Sequence, residues 1–296
     1  MSSLRRVLEE GGFAVTAEVV PPLSCDPAAL LAKALPLKGL ADAVNVTDGA
    51  GARAHLDAVT AAAILAHNGI EPVLQLTARD RNRIALQSAM IAAAASGVVN
   101  LLLLRGDDPR EGDQPAARPV FDLDTAAMVE TALVIRDRGE LPHGRKIGGK
   151  ADFFIGVADA PVEPLPDWQP GGLTRKIAAG AEFAQTQFCM DAGLVRRYAA
   201  RLKEQGILPG FRLMIGLAPI ASVKSARWIR DHLPGSVVPH WVIDRLEQAA
   251  DPVAEGIRIC AELMQEMAGI EGIAGVHLMA PGNEAAIPEA ITAFRS

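Results

Sequence analysis

The stretch Val98–Pro109, VVNLLLLRGDDP, decides which fold this chain is expected to adopt. Its first part, up to Leu104, is apolar except for Asn100, and it then changes at once to a cation, a glycine and two carboxylates. A run so short and so apolar is typical of a strand covered on both faces, as in a parallel sheet. Ligands bind at the carboxyl ends of such strands. The polar end is therefore either part of a binding site or a solvated turn that follows a strand.

Strand-like and helix-like segments alternate along the rest of the chain. The predicted strands are Phe13–Val20, Ala43–Thr47, Val73–Thr77, Val98–Leu104, Phe153–Val157, Phe183–Phe188, Arg212–Leu217 and Ile273–Met279. This order predicts an α/β fold, a (β/α)8 TIM barrel, because right-handed crossovers bring the last strand back beside the first. Additional helical segments at Trp241–Ala249 and Pro252–Met267 come before the last strand. We expect one barrel domain over residues 1–296, with extra C-terminal helices.

The composition fits this fold and argues against several classes of function. Of the 296 residues 50% are hydrophobic and only 4% aromatic, which suits aliphatic helices packed on a parallel sheet. A net charge of −6 without a basic cluster argues against nucleic-acid binding. The three cysteines lack disulfide or metal spacing, so we expect no metal site and a reducing, cytoplasmic location. We expect no membrane contact, because no segment reaches the ~20 apolar residues that span a bilayer.

In a barrel of this kind, functional side chains lie at or just after the strand ends. This criterion selects Glu18, Thr47, Asp48, Gln75, Arg105, Asp107, Asp108, Gln187 and His277. Glu18 is the most informative, because it lies inside the apolar run VTAEVVPP, where an unpaired carboxylate is costly. It is either an acid held for catalysis or a structural carboxylate paired with an arginine.

Two further patterns each have two interpretations. Gln185 and Gln187 share one face of a strand, where they either satisfy groups of the barrel core or hydrogen-bond the edge of a heterocycle. The segment Asp48–Ala54, DGAGARA, has the GxGxxA spacing of a dinucleotide-binding loop. It belongs to the second βα unit, and the acidic residue downstream, Glu71, precedes a strand instead of ending one. We therefore interpret it as a glycine-rich rim loop and not as a Rossmann site.

A basic pair, Arg175 and Lys176, lies at the start of the helix that follows the second long loop. With Arg105, it supplies the cations predicted on the rim, and cations near a helix N-terminus bind phosphate or pyrophosphate. The alternative is a solvated helix turn. His277 is either a rim residue or a histidine of the barrel core. The sequence contains no GxSxG element and no histidine pair with metal-ligand spacing.

Five motifs, in the same order and spread over most of the chain, resemble the methylenetetrahydrofolate reductase family. AEVVPP is similar to the family's FEFFPP, VTDGAG to VTYGA, LTRKIAAGAEFAQTQF to LKRKVDAGANRAITQF and IGLAPI to PGILPV, and RGD is shared. In this chain the motifs occupy Ala17–Pro22, Val46–Gly51, Leu173–Phe188, Ile215–Ile220 and Arg105–Asp107, respectively. The block with RK, AGA and TQF is the most specific of the five.

The resemblance implies a barrel that binds FAD non-covalently and reduces 5,10-methylenetetrahydrofolate to 5-methyltetrahydrofolate with NADH or NADPH in one-carbon metabolism. It implies that Glu18 is the general acid that opens the methylene bridge, that Asp107 tunes the charge near flavin and pterin, and that Gln187 holds the pterin. The residues implied to line the FAD site are Thr47, Gln75, Arg105, Gly106, Phe121, Arg175 and Lys176. Thr47 and Asp107 are also implied to contact the folate.

Several positions depart from the family pattern. The FAD loop similar to YPEVH reads ADAPV at Ala158–Val162, a strand histidine is Gln75, a tyrosine is Phe121, and the aromatic that stacks on substrate is Val223. These differences bear on flavin binding, on the electron donor and on the direction of the reaction. Two alternatives stay open: a folate oxidoreductase that is flavin-free or works in the oxidising direction, and a non-catalytic barrel subunit that binds folate or an electron-transfer partner. A homo-oligomer is compatible with the sequence.

Overall fold

Eight parallel strands form a closed barrel in a computed structural model that describes residues 2–296. The strands are β1 (Ala14–Val19), β2 (Ala43–Val46), β3 (Pro72–Thr77), β4 (Asn100–Leu104), β5 (Phe154–Asp159), β6 (Phe183–Phe188), β7 (Arg212–Leu217) and β8 (Ile273–Leu278). They pair in chain order, and β8 pairs with β1 so that Leu278 lies opposite Ala17. The predicted (β/α)8 TIM barrel is therefore confirmed.

Within residues 2–296 the first helix precedes β1, and the other helices follow strands on the outside of the barrel. The helices are α1 (Ser3–Glu9), α2 (Pro27–Ala34), α3 (Ala58–His67), α4 (Arg83–Ala95), α5 (Thr125–Arg138), α6 (Gly171–Ala178), α7 (Ala192–Glu204), α8 (Val223–His232), α9 (His240–Gln248), α10 (Pro252–Ala268) and α11 (Ile287–Arg295). Three of them, α8 to α10, lie between β7 and β8, where we expected additional helices. Within the described part of the chain, no helix is both long and apolar enough to cross a bilayer.

Short polar side chains set the start of most helices. Each accepts a hydrogen bond from one of the first free N–H groups of its helix, which is the usual function of an N-cap. The capping residues are Ser2, Asp26, Asp57, Asn82, Asp124, Asp191, Ser222 and Asp251. One expectation changes as a result: α3 begins after its cap Asp57, whereas the sequence pattern placed the start of that helix at Ala54.

The barrel interior changes from apolar to polar along the strands. Because side chains alternate between the two faces of a strand, every second residue lines the interior. At the amino ends the interior is closed by a cluster that includes Ala14, Ala43, Val73, Leu102, Phe154, Phe183 and Met214. Two residues further along, the same pattern brings in Thr16, Asn45, Gln75 and Gln185, all of them buried. The sequence period therefore places the polar groups towards the carboxyl ends of the strands.

Helix α1, which the sequence analysis did not predict, covers the amino end of the barrel. Leu4 and Leu8 belong to the apolar cluster there and are 0% and 4% exposed. Glu71 fixes this helix, since its carboxylate accepts hydrogen bonds from the N–H groups of Ser3 at 2.6 Å and Leu4 at 3.0 Å. The barrel is consequently closed at the end opposite the strand carboxyl termini.

The position of Glu71 also bears on the GxGxxA spacing. In a dinucleotide-binding unit, the acidic residue downstream of the glycines lies at the carboxyl end of a strand and contacts the ribose. Here Glu71 immediately precedes β3 and binds helix α1 at the amino end. Gly49 and Gly51 lie in a rim loop after β2, with φ of +62° at each. The interpretation as a glycine-rich rim loop agrees with this geometry.

Candidate active site

Glu18 lies near the carboxyl end of β1 with its side chain among polar groups of the barrel interior. Its Oε2 accepts a hydrogen bond from Gln75 Nε2 at 2.9 Å and lies 3.5 Å from His277 Nε2. The side chain is 16% exposed. Within residues 2–296, His277 is the one basic side chain within ion-pair distance of this carboxylate. The alternative of a structural carboxylate paired with an arginine is therefore excluded by the geometry.

A buried polar layer lies next to Glu18 and supports it. Thr16 Oγ1 lies 3.0 Å from His277 Nδ1 and accepts a hydrogen bond from Gln185 Nε2, also at 3.0 Å. Gln185 and Asn45 exchange two hydrogen bonds, of 2.6 and 3.1 Å. Connected buried networks of this kind restrict the orientation of their members. The layer therefore fixes His277 beside Glu18. Of the two interpretations of Gln185, the structure agrees with the first, in which it hydrogen-bonds polar groups of the barrel core.

Gln187 lies two residues further along β6 and is half-buried. Its Oε1 accepts a hydrogen bond from the Phe188 N–H at 3.0 Å. The segment after α8 packs beside it, because a Cβ built on Gly235 would lie 3.9 Å from Gln187 Cβ. Among the residues described, its Nε2 has no acceptor within hydrogen-bond distance. An amide donor is therefore available at this position, as holding a heterocycle requires.

The loops after β2, β3 and β4 interlock on one side of the rim. Asp48 Oδ2 accepts hydrogen bonds from Thr77 N at 2.8 Å and Thr77 Oγ1 at 3.0 Å, and Arg81 pairs with the same oxygen at 2.5 Å. A Cβ at Gly112, in the loop after β4, would overlap the carbonyl of Ala52 in the loop after β2. Asp48, one of the candidate residues, therefore has a structural role that connects the loop after β2 to the end of β3 and its loop.

Arg105 and Phe121 form one surface of the loop after β4. The Arg105 guanidinium carbon lies 4.5 Å from the centroid of the Phe121 ring, a cation–π contact. Phe121 has φ of +43°, unusual for a bulky residue, and its N–H donates to the Ala78 carbonyl at 3.1 Å. These contacts fold the loop back onto the end of β3. Two residues that the resemblance assigns to the FAD site are thus held together.

The basic pair lies in the last turn of α6 and not at its start, so the predicted phosphate site at a helix N-terminus is wrong, and its two members have different environments. Arg175 is 66% exposed in its side chain and lies 3.5 Å from Asp124. Lys176 donates from Nζ to the Ala158 carbonyl at 2.6 Å, and burial lowers the pKa of its ammonium, although the nearby Asp159 opposes that shift. Arg175 is consequently a solvent-exposed cation beside Asp124, whereas Lys176 is hydrogen-bonded to a backbone carbonyl of β5.

Asp159, the last residue of β5, lies in a partly apolar environment that the sequence did not indicate. Tyr198 donates a hydrogen bond to its Oδ2 at 2.6 Å. Burial raises the pKa of Asp159, and this effect outweighs the opposing effects of the Tyr198 hydroxyl, the Ala160 N–H and Lys176. The carboxylate form is therefore less stable here than in the unfolded chain.

We expect the substitution Asp159→Asn to stabilise the protein more at pH 7 than at pH 4. An acid with a raised pKa destabilises the folded state as the pH rises through its titration, and that cost is absent when the group is protonated in both states. Asparagine retains an oxygen acceptor for Tyr198 but carries no charge. Thermal unfolding at the two pH values measures the difference. As a control, Asp167→Asn changes an exposed aspartate near the same loop and should show no such pH-dependent gain. A gain that is equal at both pH values, or larger at pH 4, would contradict the prediction.

Thr47 provides a test of whether the rim fits a bound nucleotide cofactor. It follows β2, is 4% exposed, and its Oγ1 has no hydrogen-bond partner within residues 2–296. Buried hydroxyls without a partner are rare and indicate a missing ligand or water. Arg105 and the exposed Arg175 supply cations on the same rim. The side chains on this rim therefore fit a bound nucleotide. Lys176 is the exception, because its ammonium group is hydrogen-bonded to the Ala158 carbonyl.

The structure brings some of the predicted site residues together and reveals others. Glu18, Gln75 and His277 are in direct contact. Arg79, which lies two residues after β3 and is 3% exposed, was missed. The strand-end criterion that selected Arg105 applies equally to the position of Arg79, but it gives no indication that this side chain is buried. Within residues 2–296, no group of three or more His, Cys, Asp or Glu residues is arranged to hold a metal ion.

Comparison with known proteins agrees with this geometry. The family model described as methylenetetrahydrofolate reductase matches residues 3–294. The chain belongs to this family. Methylenetetrahydrofolate reductase family membership thus covers both the barrel and the rim that carries Glu18, Thr47 and Arg105.

Two curated members of the methylenetetrahydrofolate reductase family are similar to this chain over part of their length. Both are 5,10-methylenetetrahydrofolate reductases: the protein of Pectobacterium carotovorum subsp. carotovorum is 26% identical over 217 residues, and that of Salmonella typhimurium is 25% identical over 217 residues. The match covers 71% of this chain but only 64% and 65% of those proteins. The chain therefore matches just under two thirds of their length.

Solved structures resemble the protein in fold. An uncharacterised protein from Clostridium thermocellum that binds two copies of 5-methyl-5,6,7,8-tetrahydrofolic acid has a TM-score of 0.68, with 14% identity over 98% of this chain and 97% of its own. A 2,3-dimethylmalate lyase has a TM-score of 0.52, with 15% identity over 100% of this chain and 85% of its own. At these identities the likeness concerns the fold alone.

Proposed function

We propose that the protein reduces 5,10-methylenetetrahydrofolate to 5-methyltetrahydrofolate, with non-covalently bound FAD and with NADH or NADPH as the electron donor. Family membership supports the reaction class. The observation that carries the proposal is the environment of Glu18, a 16% exposed carboxyl group at the end of β1 that is held by an amide and an imidazole. Such an acid, sheltered but accessible from the open end of the barrel, is what the folate half of the reaction requires.

The product determines where the proton is needed. In 5-methyltetrahydrofolate the one-carbon unit stays on N5, so the bond from the bridging carbon to N10 must break, and N10 must be protonated. Gln75 donates to Oε2 of Glu18, which leaves Oε1 to carry the acidic proton. Protonation of N10 from Oε1 opens the bridge to an iminium that can accept hydride. The buried layer below fixes the side chains around Glu18, and this fixed geometry lowers the cost of orienting the acid.

The remaining site residues would bind and orient the reactants. Thr47, with its unpaired hydroxyl, and the cations Arg105 and Arg175 would hold the FAD phosphates. Gln187 would hold the pterin through its free Nε2, and Asp107 would lie near both rings and set the local charge. When bound, FAD supplies the hydride transfer, which amino-acid side chains cannot perform.

One observation favours a second candidate, a folate oxidoreductase that works without flavin. Lys176, which the resemblance assigns to the FAD site, donates to the Ala158 carbonyl and is not directed to a ligand phosphate. The loop at Ala158–Val162 also lacks the tyrosine and histidine of the family pattern. In this candidate, hydride would pass directly from NADH to the folate, with Glu18 in the same role.

Two measurements on the purified protein separate these candidates. The protein is incubated with FAD, freed of unbound cofactor, and examined for flavin absorbance. Separate samples are then reduced with NADH and with NADPH under anaerobic conditions and mixed with 5,10-methylenetetrahydrofolate. We expect bound FAD that is bleached by at least one of the two donors and reoxidised by the folate, with 5-methyltetrahydrofolate as the product. Formation of the same product without bound flavin would establish the second candidate. No formation of methyl product under either condition would contradict both and favour a folate-binding barrel without catalysis.

A further inference from the structure

Arg79 is a buried cation on the interlocked side of the rim. It is 3% exposed, and its guanidinium makes a fork with Asp80, from Nε to Oδ1 at 2.8 Å and from Nη2 to Oδ2 at 2.6 Å. The third nitrogen, Nη1, is buried and has no hydrogen-bond partner within residues 2–296. A buried guanidinium that is incompletely paired is costly, so a reason for its position is needed.

The contacts of Arg79 reach three loops. Nη2 donates to the carbonyl of Gly49, after β2, at 3.1 Å, and a Cβ on Gly49 would overlap the guanidinium. The Arg79 carbonyl accepts from the N–H of Val120, in the loop after β4, at 2.7 Å. Asp80 belongs to its own loop, after β3. The Arg79 side chain thus connects its own loop to the loop that contains Thr47, and its backbone carbonyl binds the loop that contains Arg105.

Arg79 also lies directly against the segment that contains Asp107. Gly106 has φ of +87°, and a Cβ placed on it would lie 3.0 Å from the Cβ atoms of both Arg79 and Thr77. Only glycine allows the chain to approach Arg79 so closely at this backbone conformation. The hydrogen bonds to Asp80 raise the pKa of Arg79, and the charges of Asp107 and Asp48 act in the same direction. Arg79 therefore remains a cation and provides positive charge behind Asp107.

We propose that Arg79 is a positioning residue that holds the Thr47 and Asp107 loops in their ligand-binding geometry and balances the charge of Asp107 beside the cofactor. The hydrogen bonds of the Arg79 side chain go to Asp80 and to the Gly49 carbonyl, so Arg79 acts on the site through these loops and through its packing against Gly106. The inference rests on the proposed function, because it assumes that FAD binds at these loops. It assigns a role to a residue that none of the five sequence motifs contains.

Three variants test this role through the binding and redox properties of FAD. Arg79→Lys keeps the charge but loses the fork, so we expect about tenfold weaker FAD binding, as for the loss of a charged hydrogen bond, with a nearly unchanged flavin midpoint potential. Arg79→Gln also loses the charge, so we expect weak binding together with a more negative potential, since the field of Asp107 is no longer balanced. Arg83→Lys alters an exposed fork with Asp122 and serves as the control, with neither property changed. FAD fluorescence titration and dye-coupled reduction provide the measurements.

The outcomes distinguish this inference from the proposed function. A parent protein that binds no FAD would overturn both. A parent that binds FAD, with Arg79→Lys binding it equally well, would overturn the positioning role alone, and this result does not depend on whether Arg79→Gln folds. If Arg79→Gln folds and binds FAD at the parent's potential, the charge-balancing role is wrong, because a merely structural residue would change stability and leave the potential unaltered.

Discussion

Glu18→Gln is expected to slow reduction of 5,10-methylenetetrahydrofolate by about 100-fold or more, the scale of losing a general acid. Glutamine has nearly the same shape and can still accept the hydrogen bond from Gln75, at 2.9 Å in the parent protein. It cannot deliver a proton to N10. Reduction of the bound flavin by NADH requires no such proton on the folate, so that half-reaction should persist. Stopped-flow absorbance measures the two half-reactions separately.

A matched variant makes the result of Glu18→Gln specific. Glu163 is an exposed glutamate in the loop after β5, where it pairs with Arg197. Glu163→Gln makes the same chemical change outside the barrel interior, and we expect parental rates in both half-reactions. If Glu18→Gln also reduces folate at the parental rate, the assignment of Glu18 as the acid is wrong. If it instead abolishes the flavin half-reaction while the folate half-reaction persists, Glu18 serves the donor and not the folate.

Leu4→Ala is expected to lower the free energy of unfolding by about 2–5 kcal/mol, the range observed for leucine removed from a packed interior. Leu4 is 0% exposed within the cluster that closes the amino end of the barrel. For a chain of this size the loss corresponds to a fall in melting temperature of about 3–8 °C. Thermal unfolding followed by circular dichroism measures it.

The exposed Leu23 provides the control for Leu4→Ala. It is 82% exposed in the loop after β1, so Leu23→Ala should leave the melting temperature nearly unchanged. Because α1 lies at the end of the barrel opposite Glu18, Leu4→Ala should also retain the parental rate of folate reduction at temperatures well below unfolding. A Leu4→Ala protein as stable as the parent would show that α1 does not hold the barrel closed.

The sequence was sufficient to predict the barrel because each strand has a recognisable local sequence pattern. Apolar runs such as Val98–Leu104 end in polar residues, and caps such as Asp26 and Asp124 begin the helices that follow. The alternation of these signals needs no knowledge of distant contacts. The same local criterion selected Glu18 and Gln75, which the structure places in contact.

Features that depend on contacts between distant segments could not be predicted in the same way. Helix α1 contains two arginines and three apolar residues in a short, polar N-terminal segment, and its packing depends on Glu71 and on the apolar cluster at the amino end of the barrel. Arg79 resembles a solvated residue before a helix, and only the loops after β2 and β4 bury it. The bond from Lys176 to Ala158 likewise depends on how one long loop folds.

Because helix α1 covers the amino end of the barrel, the interior is accessible from the carboxyl end of the strands. Since Leu4 and Leu8 close the amino end, a ligand that reaches Glu18 has to bind and dissociate on the side of the rim loops. In the proposed reaction the electron donor, the folate and the product would share one route, and slow release of the product would delay binding of the next substrate. Ligand entry and product release at this open end, as well as the chemical steps, would then determine the turnover rate.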